Sequence, residues 1–341
     1  MMNLIRRLFG PEKPPETTEP LVTPEVASPK VEPKDDPETV ETPKVEQPTA
    51  PLEDPAPKVV TANLEMLHAD GATRPLPEET LIAFLGNGHL TFGQASDVGM
   101  VRTNNQDAAH SFFSTSRSAD DRPDFGLFIV ADGMGGHHDG EKASAITIST
   151  VATQVMTTIL TPMLAGETEN TPPITEALTT AIEKANAEVI KHVPDGGTTL
   201  TCAIVIGDLA YIAHVGDSRI YLITKDNMEQ LTRDHSLVQR LIELDQLTPE
   251  EAAEHPNKNM LYRALGTNEL IEVDTITRRL PPKSRLVLCS DGLWNQVDGK
   301  EILEVIKQTP SPQEACNKLV ALANKHGGVD NVSVVLLHMP G

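Results

Sequence analysis

The chain has 341 residues, 39% of them hydrophobic but only 3% aromatic, and a formal net charge of −21. Its core must therefore rest on Ile, Leu, Val, Ala and Met, and about 250 residues suffice to bury one without disulfide or metal staples. The negative charge argues against a nucleic acid or an anionic membrane as partner, because both reward basic surfaces.

Three widely spaced cysteines, Cys202, Cys289 and Cys316, read as a reducing, cytoplasmic setting, with Cys202 and Cys289 as small apolar residues inside strands. No run of 18 apolar residues is present, so no transmembrane segment is expected. Residues 1–10, with Arg6 and Arg7 among Leu4, Ile5, Leu8 and Phe9, make a short basic amphipathic N-terminus without the apolar stretch of a signal peptide. Residues 11–77 read as an acidic, Pro-rich, disordered linker, with prolines at 14, 15, 24, 29, 33, 37 and 43 and little apolar surface to offset ordering. Such a tail is suited to docking a partner, and its Thr-Pro and Ser-Pro steps are candidate phosphorylation sites.

The folded domain is expected over 78–341. Residues 91–96 alternate weakly as a first strand, and Phe125 to Ala131 is a nearly continuous apolar run, the mark of a buried strand. Two helices are predicted at 141–160 and 173–192. Strands follow at 200–206, 210–215 and 220–223, with connections short enough to require antiparallel hairpins. A polar helical region spans 234–256. Strands at 271–278 and 284–290, helices at 299–307 and 312–325, and a strand at 331–337 complete the chain. Strands in runs with helices segregated between them imply an α+β domain with an antiparallel core.

Five aspartates share one local setting, at a strand end or beside a turn: Asp107, Asp132, Asp217, Asp291 and Asp330. Both Ile129-Val130-Ala131-Asp132-Gly133 and Val287-Leu288-Cys289-Ser290-Asp291-Gly292 deliver a carboxylate at the end of an apolar strand, and glycine then lets the backbone turn. One Asp-Gly pair is ordinarily a turn and nothing more. Several converging from distant parts of the chain would repel one another unless cations neutralise them. All-oxygen donors favour hard ions, so Mg²⁺ or Mn²⁺ over Zn²⁺, and a shared carboxylate can hold two of them around an acidified water. Arg102, close to Asp107, has the planar fork that grips two phosphate oxygens; its blander alternative is a surface ion pair. Together these residues suit hydrolysis of phosphoesters.

The segment Ser96-Asp97-Val98-Gly99-Met100-Val101-Arg102-Thr103-Asn104-Asn105-Gln106-Asp107 resembles the first motif of bacterial PP2C-type (PPM family) serine/threonine protein phosphatases. Val130-Ala131-Asp132-Gly133-Met134-Gly135-Gly136-His137 with Gly140-Glu141-Lys142-Ala143-Ser144 resembles the second. Gly197-Thr198-Thr199-Leu200, His214-Val215-Gly216-Asp217-Ser218-Arg219, Asp234-His235-Ser236, Ser290-Asp291-Gly292-Leu293-Trp294 and Asp330-Asn331-Val332-Ser333 follow in the family's order. The similarity covers about 91–338.

The resemblance implies an α-β-β-α sandwich, two antiparallel β-sheets flanked by helices. It implies an enzyme that hydrolyses phosphoserine and phosphothreonine in proteins by direct attack of a metal-bridging water, opposing Ser/Thr protein kinases. Asp132 would bridge two Mn²⁺ or Mg²⁺ ions, with the Gly133 carbonyl on the second. Asp291 and Asp330 complete the first, and Asp107 reaches the second. Asp217 with Asp291 would hold a weaker third ion, Arg102 the substrate phosphate, and residues 233–268 form a flap beside the cleft. Some members carry histidine where Met134 stands. Met134 has no proton to give, so His137 becomes the candidate general acid, acting through water. His137, His138 and Glu141 lack the spacing of a helical zinc motif. His214, inside an apolar strand, reads as a satisfied core residue. A catalytically silent binding module and a small-metabolite phosphatase are the alternatives on the same fold. The presence of every aspartate and of Arg102 speaks against the first.

Overall fold

A computed structural model describes residues 88–115, 123–136, 138–167, 171–225 and 227–341, all within the compact unit Gly71–Gly341. The basic N-terminus at 1–10, the linker at 11–77, the first ten residues expected in the domain, and His137 lie outside the described residues.

In chain order the elements are β1 (Thr91–Asp97), β2 (Asp107–Ser114), β3 (Phe125–Gly135), α1 (Asp139–Val155), α2 (Ile174–His192), β4 (Gly196–Thr198), β5 (Leu200–Ile206), β6 (Leu209–Val215), β7 (Arg219–Ile223) and β8 (Met228–Gln230). Then come α3 (Leu237–Glu243), α4 (Pro249–Ala253), β9 (Asp274–Arg279), β10 (Arg285–Cys289), α5 (Asp291–Trp294), α6 (Gly299–Gln308), α7 (Pro312–Lys325) and β11 (Val332–His338). The strands form two antiparallel sheets, β1-β11-β10-β7-β8 and β2-β3-β5-β6-β9, with β4 added beside β3. This is the expected α+β sandwich.

Strand alternation sorts the apolar residues into three layers. Phe128 and Val130 of β3 meet Leu286, Leu288, Val335 and Leu337 of the other sheet between the two sheets. Leu127 and Ile129 point the opposite way, against Val151, Val155, Leu178 and Ile182 of α1 and α2. On the far side Val287, Cys289, Val334 and Leu336 pack on Ile302, Ile306, Leu319 and Ala323 of α6 and α7. A strand covered on both faces has no polar side to show, which is why β3 and β10 read as continuous apolar runs. Cys202 and Cys289 are buried in strands as expected, and Cys316 is buried on α7.

The structure corrects several local expectations. An edge strand, β2, lies at 107–114, where none was expected; it is half-buried, and His110 and Ser111 blur its alternation. The helix expected at 141–160 starts at Asp139, and after Val155 a π turn, Met156–Leu160, leads into a further helical turn, Thr161–Ala165. By length and composition Asp139–Ala165 is apolar enough to cross a membrane. Its apolar face, with Val151, Val155, Ile159 and Leu160, is instead packed on β3 and α2. The polar region 234–256 is two short helices rather than one, because the capping box Thr248/Glu251 and Pro249 start a new helix. The strand expected at 271–278 begins at Asp274. Of the runs expected at 200–223, β5 and β6 form a hairpin and β7 pairs with β8, but β6 and β7 belong to different sheets, so residues 216–218 cross between them.

Candidate active site

One end of the sandwich gathers the aspartates. In the β2–β3 register Asp107 stands directly opposite Asp132. Asp291 follows the end of β10, Asp330 precedes the start of β11, and these two strands pair side by side. Asp217 sits in the crossover from β6 to β7. Asp132, Asp217, Asp291 and Asp330 line a cleft of about 220 Å³ with Arg102, Gln106, Gly133, Met134 and Thr199, closed on the flap side by Asn259 and Leu261. Asn259 and Leu261 both belong to the segment 233–268.

The aspartates are braced, Asp132 and Asp217 through their backbone and Asp107 through its carboxylate. The Asp132 amide donates to Thr199 Oγ1 at 2.9 Å, and its carbonyl accepts from the Thr199 amide at 2.8 Å and from Thr198 Oγ1 at 2.9 Å. Asp107 accepts from Ser290 Oγ at 2.7 Å, while its Oδ1 is buried with no partner. Asn331 ties the Arg102 loop down: its Nδ2 donates to the Val98 and Asn104 carbonyls at 2.8 and 2.9 Å, and its Oδ1 accepts from the Gln106 amide at 2.8 Å. Trp294 Nε1 donates to the Asp217 carbonyl at 3.1 Å, and the Arg219 guanidinium lies 3.5 Å over the Trp294 ring while pairing with Asp234 at 2.7 Å. Glycine is required at 133, where a Cβ would stand 2.1 Å from the Gly140 carbonyl oxygen and 2.7 Å from that of Gln106.

Electrostatically the floor is overloaded with negative charge. Burial, with repulsion from Asp107 and Asp291, holds the Asp132 carboxyl well above the usual carboxylate range. Asp217 is likewise raised, by burial and then by Asp291. Burial pushes Asp107 to about 7 and, with Asp330, pushes Asp291 to about 6. Asp132 and Asp291 still touch solvent from the cleft, but protein encloses them on every other side. Proximity to Asp132 and the positive charge of Arg102 offset part of this rise at Asp291. Among the residues lining the cleft one is cationic: Arg102, whose Nη2 donates to Asp330 at 2.8 Å.

This donor set fits divalent cations. Neighbouring carboxyls that cannot all ionise together and an orphaned buried carboxylate oxygen are what hard ions relieve, and the anionic donors here are all oxygens. Among the described residues no three His, Cys, Asp or Glu side chains are already closed into a metal cage. That is the arrangement expected of mutually repelling carboxylates.

The structure thus brings Arg102, Asp132, Gly133, Asp217, Asp291 and Asp330 to one cleft, with Asp107 directly behind Asp132. His137 lies outside the described residues; His138 is exposed and 3.8 Å from Glu141, far from any cage of ligands. His214 is a satisfied core residue as expected, held between Thr201 Oγ1 at 2.8 Å and the Arg233 carbonyl at 3.0 Å. Sequence reading assigned no role to Thr199, Ser290 or Asn331. Their only signal was position, one or two residues from a motif aspartate or within a recurrent motif.

The family model for protein phosphatase 2C matches residues 100–323. The serine/threonine phosphatase Stp of Listeria innocua is 38% identical over 248 residues, 71% of this chain and 93% of that protein. The solved structure of the Mycobacterium tuberculosis serine/threonine phosphatase PstP/Ppp superposes with a TM-score of 0.61 at 34% identity, over 74% of this chain and 99% of that one. A PstP catalytic domain in complex with two manganese ions gives 0.60 at 33% identity, over 74% and 99%. The matched stretch runs from the Arg102 loop through both sheets and takes in four of the five aspartates, and on sequence and architecture together the chain belongs to the protein phosphatase 2C family.

Proposed function

We propose that the chain is a metal-dependent phosphatase that removes phosphate from phosphoserine and phosphothreonine in proteins. The observation that carries this reading is the cleft itself, where buried, mutually repelling carboxylates face the single cationic fork of Arg102. Asp132, the Gly133 carbonyl, Asp107, Asp291 and Asp330 would hold two divalent ions, and Asp217 with Asp291 a third. An all-oxygen set accepts either Mn²⁺ or Mg²⁺. Bound there, such ions neutralise the carboxylates, polarise a phosphoryl group and lower the pKa of cleft water.

The protein's own part is positioning. Asp330 holds Arg102 against the cleft wall through one nitrogen, which leaves the rest of the guanidinium to grip phosphate oxygens. Thr198 and Thr199 fix the Asp132 backbone and Ser290 the Asp107 carboxylate, so little reorganisation accompanies the reaction. Met134 lines the cleft and has no proton to give; His137, three residues on, is our candidate donor to the leaving oxygen, through water. Substrates of this activity include phosphorylated Ser/Thr kinases, and the reaction runs in a reducing cytoplasm, consistent with three free, buried cysteines. The tail at 11–77 would serve to dock partners, which deletion of residues 1–77 tests through activity on protein substrates.

The decisive experiment is hydrolysis of a phosphothreonine peptide with Mn²⁺ or Mg²⁺, with chelator, and in Asp132→Ala. Turnover that survives chelation or the substitution refutes the mechanism. Faster turnover of sugar phosphates than of phosphopeptides would refute the protein substrate.

A further inference from the structure

We infer that the cleft selects phosphoserine and phosphothreonine flanked by apolar residues, read by a rim of Met100, Val101 and Val329 beside Arg102 and by Leu261 across the cleft. This rests on the phosphatase reading above and names its substrate preference.

Nine large hydrophobic residues are exposed among the described residues, and three of them, Met100, Val101 and Val329 at 70%, 65% and 51%, lie within two positions of the Arg102–Asp330 ion pair. Single exposed apolar residues need no explanation, whereas a cluster beside a binding group marks a contact surface. The exposure does not come from a loose loop. Gly99 has φ +82°, and a Cβ there would meet the Asp330 carbonyl oxygen at 2.3 Å. The Gly99 amide donates to Asp97 Oδ1 at 2.8 Å and the Met100 amide to the Gly328 carbonyl at 2.7 Å. Asn331 fastens Val98 and Asn104 on either side. The loop at 98–105 and the turn at 327–331 are thus one fixed unit that holds three apolar side chains out to water.

Apart from Arg102 and Asp330 themselves, neither segment carries a charged residue that would read acidic or basic neighbours. Opposite, Leu261 lines the flap wall of the same cleft. An extended peptide advances about 3.3–3.6 Å per residue, so with phosphate on Arg102 the two residues on each side of the phosphoresidue fall within about 7 Å of it. A net charge of −21 further disfavours acidic flanks.

The test compares phosphothreonine peptides that differ only in their flanking residues, Val, Ser, Lys or Glu. The wild-type chain is set against the triple variant Met100→Ser, Val101→Ser, Val329→Ser. Each kcat/KM is divided by that of the same protein for p-nitrophenyl phosphate, which has no flanking residues. The expected result is a Val-over-Glu preference of about tenfold and a smaller Val-over-Ser preference, carried mainly by KM. In the variant the Val-over-Ser preference should collapse toward one, while the part of the Val-over-Glu preference that comes from net charge persists. A wild-type Val-over-Ser ratio near one, or a ratio unchanged in the variant, overturns the rim while p-nitrophenyl phosphate is still hydrolysed. If no ester is hydrolysed with Mn²⁺, the phosphatase reading falls and the rim with it.

Discussion

Thr199 supports two of the cleft's aspartates at once, and replacing it by valine separates its two contributions. Its hydroxyl accepts the Asp132 amide at 2.9 Å and is paired with Ser218 Oγ at 2.9 Å. Its methyl and Cβ press on the crossover that carries Asp217, where a Cβ at Gly216 would stand 2.6 Å from that methyl. Valine keeps the packing and removes the hydroxyl. It strands the Asp132 N–H and one partner of Ser218 at a position only 2% exposed, which costs about 1–3 kcal/mol for the unsatisfied donor. The same loss frees the backbone that aims the Asp132 carboxylate, and changes one shell out from a metal ligand typically cost about 10–100-fold in metal affinity or activity. Serine does the reverse, keeping the hydroxyl and losing one methyl, for about 1 kcal/mol. Urea unfolding in chelator reads the first quantity, and Mn²⁺ titration of phosphopeptide hydrolysis reads the second. The expected pattern is a large rise in the Mn²⁺ midpoint for Thr199→Val and a small one for Thr199→Ser. Equal midpoints in the two variants would refute the claim that the hydroxyl, and not the packing, positions Asp132.

Gly133→Ala puts a methyl 2.1 Å from the Gly140 carbonyl oxygen, so overpacking of about 1–3 kcal/mol and a weakened Mn²⁺ dependence should appear together in unfolding and activity titrations. Arg102→Lys keeps the charge but loses the fork, and kcat/KM for phosphopeptides should drop about 10–100-fold with stability nearly unchanged. Burial and His235 hold His214 down to about 3, so the folded chain binds fewer protons than the unfolded chain between there and the ordinary histidine value. Stability from this group is complete above pH 6.5 or so and falls by about 1.4 kcal/mol per unit as the pH drops toward 3. Urea unfolding at pH 7 and pH 5 should therefore show the gap between wild type and His214→Gln shrinking by about 2 kcal/mol; a gap independent of pH would contradict neutral burial.

The aspartates were legible because each lies at the end of an apolar strand or beside a turn residue, where a carboxylate can reach the rim of a sheet. Their mutual contacts were not legible. That Asp107 faces Asp132 depends on the β2–β3 register, and β2 gave no alternation to read because an edge strand is covered on neither face fully. Sheet membership was also hidden: β6 and β7 are three residues apart in sequence yet lie in different sheets, and it is this crossover that delivers Asp217 to the cleft. The split of the helix expected at 234–256 could have been read from Thr248-Pro249-Glu250-Glu251, where a capping box and a proline both start a helix anew.

The Asp234-His235-Ser236 motif shows how much of a recurrent pattern serves geometry alone. None of the three lines the cleft. Asp234 fixes Arg219, which lies on Trp294, whose indole N–H holds the Asp217 carbonyl. His235 accepts the Gly216 amide at Nδ1, so its proton resides on Nε2 and is donated to Asp274. Ser236 caps the first flap helix through the Gln239 amide. One tripeptide therefore couples the Asp217 crossover to the start of the flap. The flap also reaches Asp132 directly, because Thr198, whose Oγ1 donates to the Asp132 carbonyl, exchanges both backbone hydrogen bonds with Leu265; the Asp234 chain is a separate route, to Asp217. Asp234→Asn, which weakens the Arg219 pair without touching the cleft, should accordingly alter KM for phosphopeptides more than it alters the Mn²⁺ midpoint for p-nitrophenyl phosphate. The opposite order of effects would place the coupling at Asp132 instead.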